Sequence, residues 1–548
     1  MPSFDLSPAH WTHLITALEP NRVFARSLGP TEAAFYWDGE FAGTSDVAER
    51  TTIVLAPSLH LDSAEADSRR FRAIWVQLKR RFPLLAARVD ELDGGDALRF
   101  VVEETRTRTV SEDYPDEFEY VAEADSDDVQ RVLDRALNAP VRRICPRRGM
   151  AVISVLRRID APLGTYDVVT LASHAIADGM ASATLTRTLC EVLARWPVSL
   201  DDPIPDLEGR LRMVPTVDSL HPRLSLSLAR RRWRYAAARI IQARRVAAMK
   251  CGHTLPGHRV PTTPRTPAHT TTLRVHLSPP QTNCVVSAAR AHAVSVAHIL
   301  PALAHTALAR ILHRRKQKWR IGEEEWERRQ VDVVHLGGPI NVRPFLDPEW
   351  VEKGGAYEVN LSISFWAAQF PHVAPPLSQS DGAKNDIPPL SPARFWRLAT
   401  RAKTAMLTHY RHPLFFDIVE SALPVRAVRG RTAAETYRRI QNGEDVPLPL
   451  ADPKAIVFGS ILSSMGNMDR LAPSEFAGAD GTTAIKRTAA DLFLRCRPGE
   501  LYLGMKTVGG VMEFYVYYDA NVFDDDDAKE WLEAVREAAV YYCSHESQ

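Results

Sequence analysis

The chain has 548 residues, is 45% hydrophobic, and carries 68 Lys and Arg against 67 Asp and Glu, for a formal net charge of +1. That length supports two large folding units, or about three to four smaller ones, each with its own core. The balanced charge excludes the global basic surface that gathers nucleic acid, and six scattered cysteines exclude a disulfide framework and point to a reducing compartment. The N-terminus has no charged-then-apolar leader, no apolar run reaches membrane-span length, and the C-terminus is no peroxisomal tripeptide. A soluble, intracellular, cytoplasmic protein is the default expectation.

The first clear element is a helix in DSRRFRAIWVQLKRRFP. Phe71, Ile74, Trp75, Leu78 and Phe82 recur there at helical spacing, and Pro83 closes the run. Strands are expected at LRFVVEE, at MAVISVLRR and, most clearly, at YDVVTLASH. GMASATLTRTLCEVLARW then reads as a helix with Leu185, Leu189, Val192 and Trp196 on one face and Pro197 at its end. From about Pro197 to Thr271 prolines, turns and a basic segment dominate, and no acid occurs between Arg223 and Lys250. Regular texture resumes with a strand at TTLRVHLS and a long helix around VAHILPALAHTALARILHRR, whose His292, His298 and His305 region reads as structural. A Pro-, Ser- and Asp-rich stretch near 370–392 predicts a mobile surface loop. The acid run Asp524 to Asp527 suits the N-terminus of a final helix, where carboxylates favour the macrodipole. The alternation predicts an α/β class with an N-terminal half (1–215), a basic crossover segment (216–270) and a C-terminal half (271–548).

One constellation combines chemistry with a suggestive position. His174-x-x-x-Asp178-Gly179 follows the clearest strand and opens the next helix. In α/β folds ligands collect beyond the carboxyl ends of strands. Three readings compete: a satisfied polar histidine with Asp178 as a helix cap, a metal half-site, and a general base. A metal needs further ligands, and no other close cluster supplies them; Cys251, His253 and His258 in CGHTLPGH lack a fourth partner. A neutral imidazole near its reference pKa can take a hydroxyl proton. The basic segment 223–250 has three readings of its own: a solvated helix, a contact to an anionic membrane surface, or a contact to the phosphates of a ligand.

His174-x-x-x-Asp178-Gly179 resembles the signature of the CoA-dependent acyltransferase superfamily, which includes chloramphenicol acetyltransferase, plant BAHD acyltransferases, fungal alcohol and trichothecene acetyltransferases, and peptide-synthetase condensation domains. Three further stretches resemble the family in order. LKRRFPLLAARV is similar to its early helix and turn, with Phe82 in the usual histidine place and Ala86 or Ala87 in the arginine place. PINVRPFL resembles the central Asn-x-Arg-Pro element and brings Asn341, Arg343 and Pro344. GSILSSMGN resembles the late Ser-Asn-x-Gly element and brings Ser463, Ser464, Gly466 and Asn467. The plant Asp-Phe-Gly-Trp-Gly motif is absent, and Ser173 stands where condensation domains carry a second histidine. The resemblance is therefore to free-standing fungal acyltransferases of secondary metabolism, of trichothecene or mannosylerythritol-lipid type.

The resemblance implies two chloramphenicol-acetyltransferase-like domains, each a mixed sheet flanked by helices, with an active-site channel between them. It implies acyl transfer from acyl-CoA, a co-substrate rather than a bound cofactor, to a hydroxylated acceptor such as a secondary metabolite or glycolipid. His174 would be the base, with no acyl-enzyme. Asp178 would turn away and pair with Arg343, with Gly179 and Asn341 supporting the turn. Ser463, Ser464, Gly466 and Asn467 would be candidates for the oxyanion or substrate site. A monomer without metal or nucleic acid is expected. The rival expectations are a carrier-protein-dependent condensation-like enzyme and an inactive binding relative.

Overall fold

YDVVTLASH forms the strand Thr165–Ala172, in which every residue is buried. Its alternate side chains enter two different cores: Tyr166 and Val168 on one face, Val169 and Leu171 on the other. Such a strand lies inside a sheet covered on both sides. This is a computed structural model, and it describes residues 10–14, 22–197, 206–318, 320–373, 390–448 and 455–544.

The first sheet has six strands in the order Glu475–Ala477, Thr483–Leu494, Val47–Leu55, Thr165–Ala172, Ala151–Arg158, Phe118–Ala124. Only the last pair runs parallel. The helices Ala64–Arg81 and Gly179–Ala194 pack together over it. Ser63 caps the former by accepting from the Ala66 amide, and Lys79, Arg80 and Arg81 sit in its last turn, where cations suit the dipole. The second sheet has the order Ile363–Phe370, Val334–Asn341, Phe458–Asn467, Leu501–Val508, Val511–Asp519, Thr270–His276. Phe458–Asn467 is parallel to both its neighbours, and the other pairs are antiparallel. Its core is built with the helices Val296–Gln317, Pro392–Tyr410 and Asp525–Ser544. A small antiparallel sheet, Thr12–Leu14, Val23–Ser27, Ala97–Glu103 and Arg88–Leu92, flanks the first lobe.

Two mixed sheets flanked by helices are the architecture the sequence implied. The boundary at 271–548 needs correction. Thr483–Leu494 leaves the second lobe, pairs along Val47–Leu55 with Asp491 opposite Arg50, and returns to Leu501–Val508. Residues 475–494 thus complete the first sheet. A second tie is the helix Pro30–Glu40, which packs on the long helix Phe415–Gln441. Both ties converge on the strand end that carries His174.

Smaller expectations resolve locally. Of the loop expected near 370–392, residues 374–389 lie outside the described residues; the strand Ile363–Phe370 precedes them and the helix Pro392–Tyr410 follows. The crossover segment holds one long helix, Leu228–Ala248. His292 stacks on Trp396, His298 bonds Ser295 at a helix start, and buried His305 bonds the Pro371 carbonyl. Among the described residues no group of three metal-ligating side chains occurs.

Candidate active site at the lobe junction

After Ala172 the chain turns tightly. The amides of Ile176 and Ala177 both donate to the Ser173 carbonyl, at 3.0 and 3.2 Å. The turn folds the His174 ring back so that Nδ1 lies 2.6 Å from the Ala177 carbonyl oxygen. A carbonyl only accepts, so Nδ1 carries the hydrogen and Nε2 keeps its lone pair. Burial pushes the His174 pKa down to about 4; Asp178 and the Ala177 carbonyl pull it up, and Arg497 and Arg426 push it down. The ring is therefore neutral at pH 7 and able to take a proton at Nε2.

Asp178 is the N-cap of the helix Gly179–Ala194. Its Oδ1 accepts from the amides of Met180 and Ala181, each at 3.0 Å. Its Oδ2 accepts from Arg343 Nη1 at 2.9 Å and from the Ser362 amide at 2.8 Å. Burial alone pushes its pKa up, but Arg343 and these amides outweigh burial and hold the carboxyl below the usual range. Arg343 in turn donates through Nη2 to the Asn360 carbonyl and side-chain oxygen, at 2.8 and 3.0 Å. Asn341 Oδ1 accepts from the Arg343 amide at 3.1 Å. One ion pair thus clamps the turn of the first lobe to the chain that leaves the second sheet. Asn360 and Ser362 complete the clamp without having been singled out by the sequence.

Gly179 sits where a side chain would collide. A Cβ there would come within 2.6 Å of Met465 Cε and 3.4 Å of Leu492 Cδ2. Met465 belongs to GSILSSMGN and Leu492 to the crossing strand, so the motif and the late element meet at this glycine. The other late residues are placed differently. Ser463 is buried. Ser464 is half-buried, and the strand register slips between it and Gly466, whose φ is +68°. Gly466 and Asn467 are exposed, and the Asn467 side chain caps the Asp469 amide at 2.9 Å. Among the described residues no hydrogen bond joins these four residues to His174.

A layer of rings and charges covers the imidazole. Phe35 lies against it with ring centroids 4.2 Å apart, and Phe365 of the second sheet stacks on Phe35 at 6.2 Å. Arg426 of the long helix sits 4.0 Å above the Phe35 ring and 5.0 Å from the Phe365 ring. Asp38 Oδ2 accepts from Arg426 and from Arg497, both at 2.9 Å. Burial raises the Asp38 pKa, but the two guanidiniums prevail and lower it to about 2. Phe35, Asp38, Phe365, Arg426 and Arg497 come from four separate regions of the chain, and no local pattern marks them.

No family model matches the sequence, and no curated protein does. Solved structures match it by fold. The trichothecene 15-O-acetyltransferase of Fusarium sporotrichioides is 12% identical, with a TM-score of 0.71, and 99% of each chain is covered. A condensation domain of the monacolin K polyketide synthase is 11% identical, with a TM-score of 0.57, 94% of this chain and 97% of that one covered. The first condensation domain of the calcium-dependent antibiotic synthetase, solved with a substrate analogue, is 14% identical, with a TM-score of 0.55, 94% of this chain and 96% of that one covered. Across almost its whole length the chain has the two-lobed fold of a trichothecene acetyltransferase and of condensation domains.

Proposed function

We propose that the protein is an acyl-CoA-dependent O-acyltransferase acting on a hydroxylated secondary metabolite or glycolipid, with His174 as general base. The observation that carries this reading is the His174 tautomer: Nδ1 is held by the Ala177 carbonyl and Nε2 keeps a free lone pair at the junction of the lobes. Substrates approach along the seam between the lobes. Nε2 takes the acceptor hydroxyl proton as the oxygen attacks the thioester carbonyl. The tetrahedral oxyanion collapses, the C–S bond breaks, and the leaving thiolate receives the proton from Nε2. No bond to the enzyme forms. Donors near Ser463, Ser464, Gly466 and Asn467 are the candidates for oxyanion stabilisation, a contribution commonly worth several kcal/mol.

His174→Ala is expected to reduce thiol release from acyl-CoA by about 10²–10⁴-fold while leaving the fold unchanged. Normal turnover in that variant would remove the base assignment. A second reading, a carrier-dependent condensation-like enzyme, draws on the shared fold. Ser173 weighs against it, since the place of a second histidine is fully buried and its hydroxyl meets Arg142 at 3.4 Å. Turnover of free acyl-CoA with a panel of sugar, glycolipid and terpenoid alcohols favours the first reading; turnover only of carrier-bound acyl groups favours the second.

A further inference from the structure

The helix Leu228–Ala248 wears its side chains inside out. Only Ala238 is fully buried, so one long face of the helix stands in solvent. Arginines turn inward: Arg234 pairs with Asp417 at 2.8 Å and Arg245 meets the His409 ring at 3.2 Å. The outward arc carries the large apolar side chains. Trp233 is 70% exposed, Ile240 59%, Leu228 54% and Val246 51%. At 100° per residue Trp233 and Ile240 lie within about 20° of each other, and exposed Ala229, Ala236, Ala243 and Ala247 fill the same arc. Exposed Arg232 and Arg239 border the Trp233–Ile240 patch on one side and divide it from Leu228 and Val246, exposed Arg244 and Arg230 border it on the other, and none of the four meets a carboxylate among the described residues.

We infer that this face docks on an anionic lipid surface. An apolar arc of Trp, Ile and Ala bordered by arginines on both sides is the composition of a helix lying in the plane of a bilayer interface. Trp233 and Ile240 enter the headgroup–acyl boundary, and the arginine stems follow them while their guanidiniums reach lipid phosphates. The helix lies on the surface and does not cross, since no single described helix is long and apolar enough to span. Charge also argues against a second copy as the occupant. An isologous dimer through this face sets the same arginines against one another, with no acid between Arg223 and Lys250 to offset them. This inference is independent of the proposed chemistry.

The test is co-sedimentation of the full chain with vesicles of phosphatidylcholine alone and of phosphatidylcholine containing a third phosphatidylserine. Strong binding to the mixed vesicles and weak binding to the neutral ones is expected. Each basic residue near such a surface contributes about fivefold, so R232Q/R239Q/R244Q should bind roughly a hundredfold more weakly. W233S/I240S should lose the part of binding that survives high salt. All five positions are exposed, so circular dichroism and melting should stay unchanged. Absence of wild-type binding, or variants that bind like wild type, overturns the inference. A concentration-dependent dimer in sedimentation velocity that W233S/I240S dissolves, without vesicle binding, also overturns it in favour of self-association.

Discussion

Four donors reach the Asp178 carboxylate, two amides on Oδ1 and an amide and a guanidinium on Oδ2, and a carboxylate offers about four lone-pair sites. No site remains for His174, so Asp178 holds the turn and does not relay protons. Arg343→Met leaves this buried carboxylate with its amides alone, and breaking a buried pair costs about 3–5 kcal/mol. Urea unfolding should show that loss, and Arg343→Lys should recover only part of it, because an ammonium cannot span both Asp178 and Asn360. An unchanged urea midpoint would mean that the clamp is not what holds the turn. Arg426 makes a different prediction. Burial does most to lower the His174 pKa and the Arg426 charge adds a smaller push, so Arg426→Met should move the acid limb of kcat/KM slightly upward from near pH 4, with burial and Arg497 still holding it well below 6.5. Initial rates read immediately after a pH jump from a neutral stock separate this from unfolding. A variant that loses activity with its limb unmoved would make Arg426 purely a packing residue.

The strand Thr483–Leu494 is the element that joins the lobes. Its Asp491 accepts from Arg274 of the second sheet at 2.7 Å and from Lys506 of the same sheet at 2.9 Å. Burial raises the Asp491 pKa, but the two cations prevail and lower it. Asp491→Asn should therefore cost on the order of 3 kcal/mol, at the low end for a broken pair because Asp491 and Arg274 keep some solvent contact. The check is a urea curve read separately by near- and far-ultraviolet circular dichroism. Coincident curves shifted to lower urea fit a strand that couples both sheets, and an unshifted curve denies it that role. This element also marks the limit of legibility. The motif strand and its helix were readable because period and capping are local: apolar β-branched residues, then Asp178 at the cap. That Thr483–Leu494 pairs with Val47–Leu55, at the far end of the chain, has no local signature. Ser362 reaches Asp178 through its backbone N–H, which almost any residue type would supply, and its hydroxyl donates to Asn360 Oδ1 at 3.2 Å, a contact that no local pattern marks. Asp38, Arg426 and Arg497 are ordinary charges until the fold brings them together, whereas Arg343 was found because a proline-flanked motif carried it.

At the scale of the whole molecule, buried titratable groups set a narrow working range of pH. Burial lowers the pKa of His221 and His253 to about 3, and of His305, His409 and His174 to about 4. Unfolded, each returns to about 6.5. A histidine lowered in the folded state contributes stability that is present above 6.5 and lost as pH falls below it, because the unfolded chain then binds protons the native one refuses. Five carboxyls among the described residues act in the opposite sense, with burial raising Asp46, Glu358 and Glu420 as well as the two that shift furthest. Burial raises Glu49 to about 7 and Asp218 to about 6, so their contribution is complete below the unfolded value and fades as pH climbs through the folded one. Burial also lowers His298, His313, His372 and His412, so the lowered histidines outnumber the raised acids and their effect wins on the acid side. At pH 5.5 unfolding should take up protons on balance, so stability should fall as the pH drops. Urea midpoints measured at pH 7.5, 6.5 and 5.5 should fall steeply across the last interval and little across the first. His221 and His305 are the most direct check, because one is buried against Phe416 and the other against Phe370 with no acid to pair. Replacing both by Gln should flatten the acid side of the profile by close to two protons, whatever it does to stability at pH 7.5. A profile that keeps its full slope would remove His221 and His305 as the source of the acid lability, and the arginine-paired Asp38 and Asp178 could not replace them, because their contribution is lost only below about pH 4.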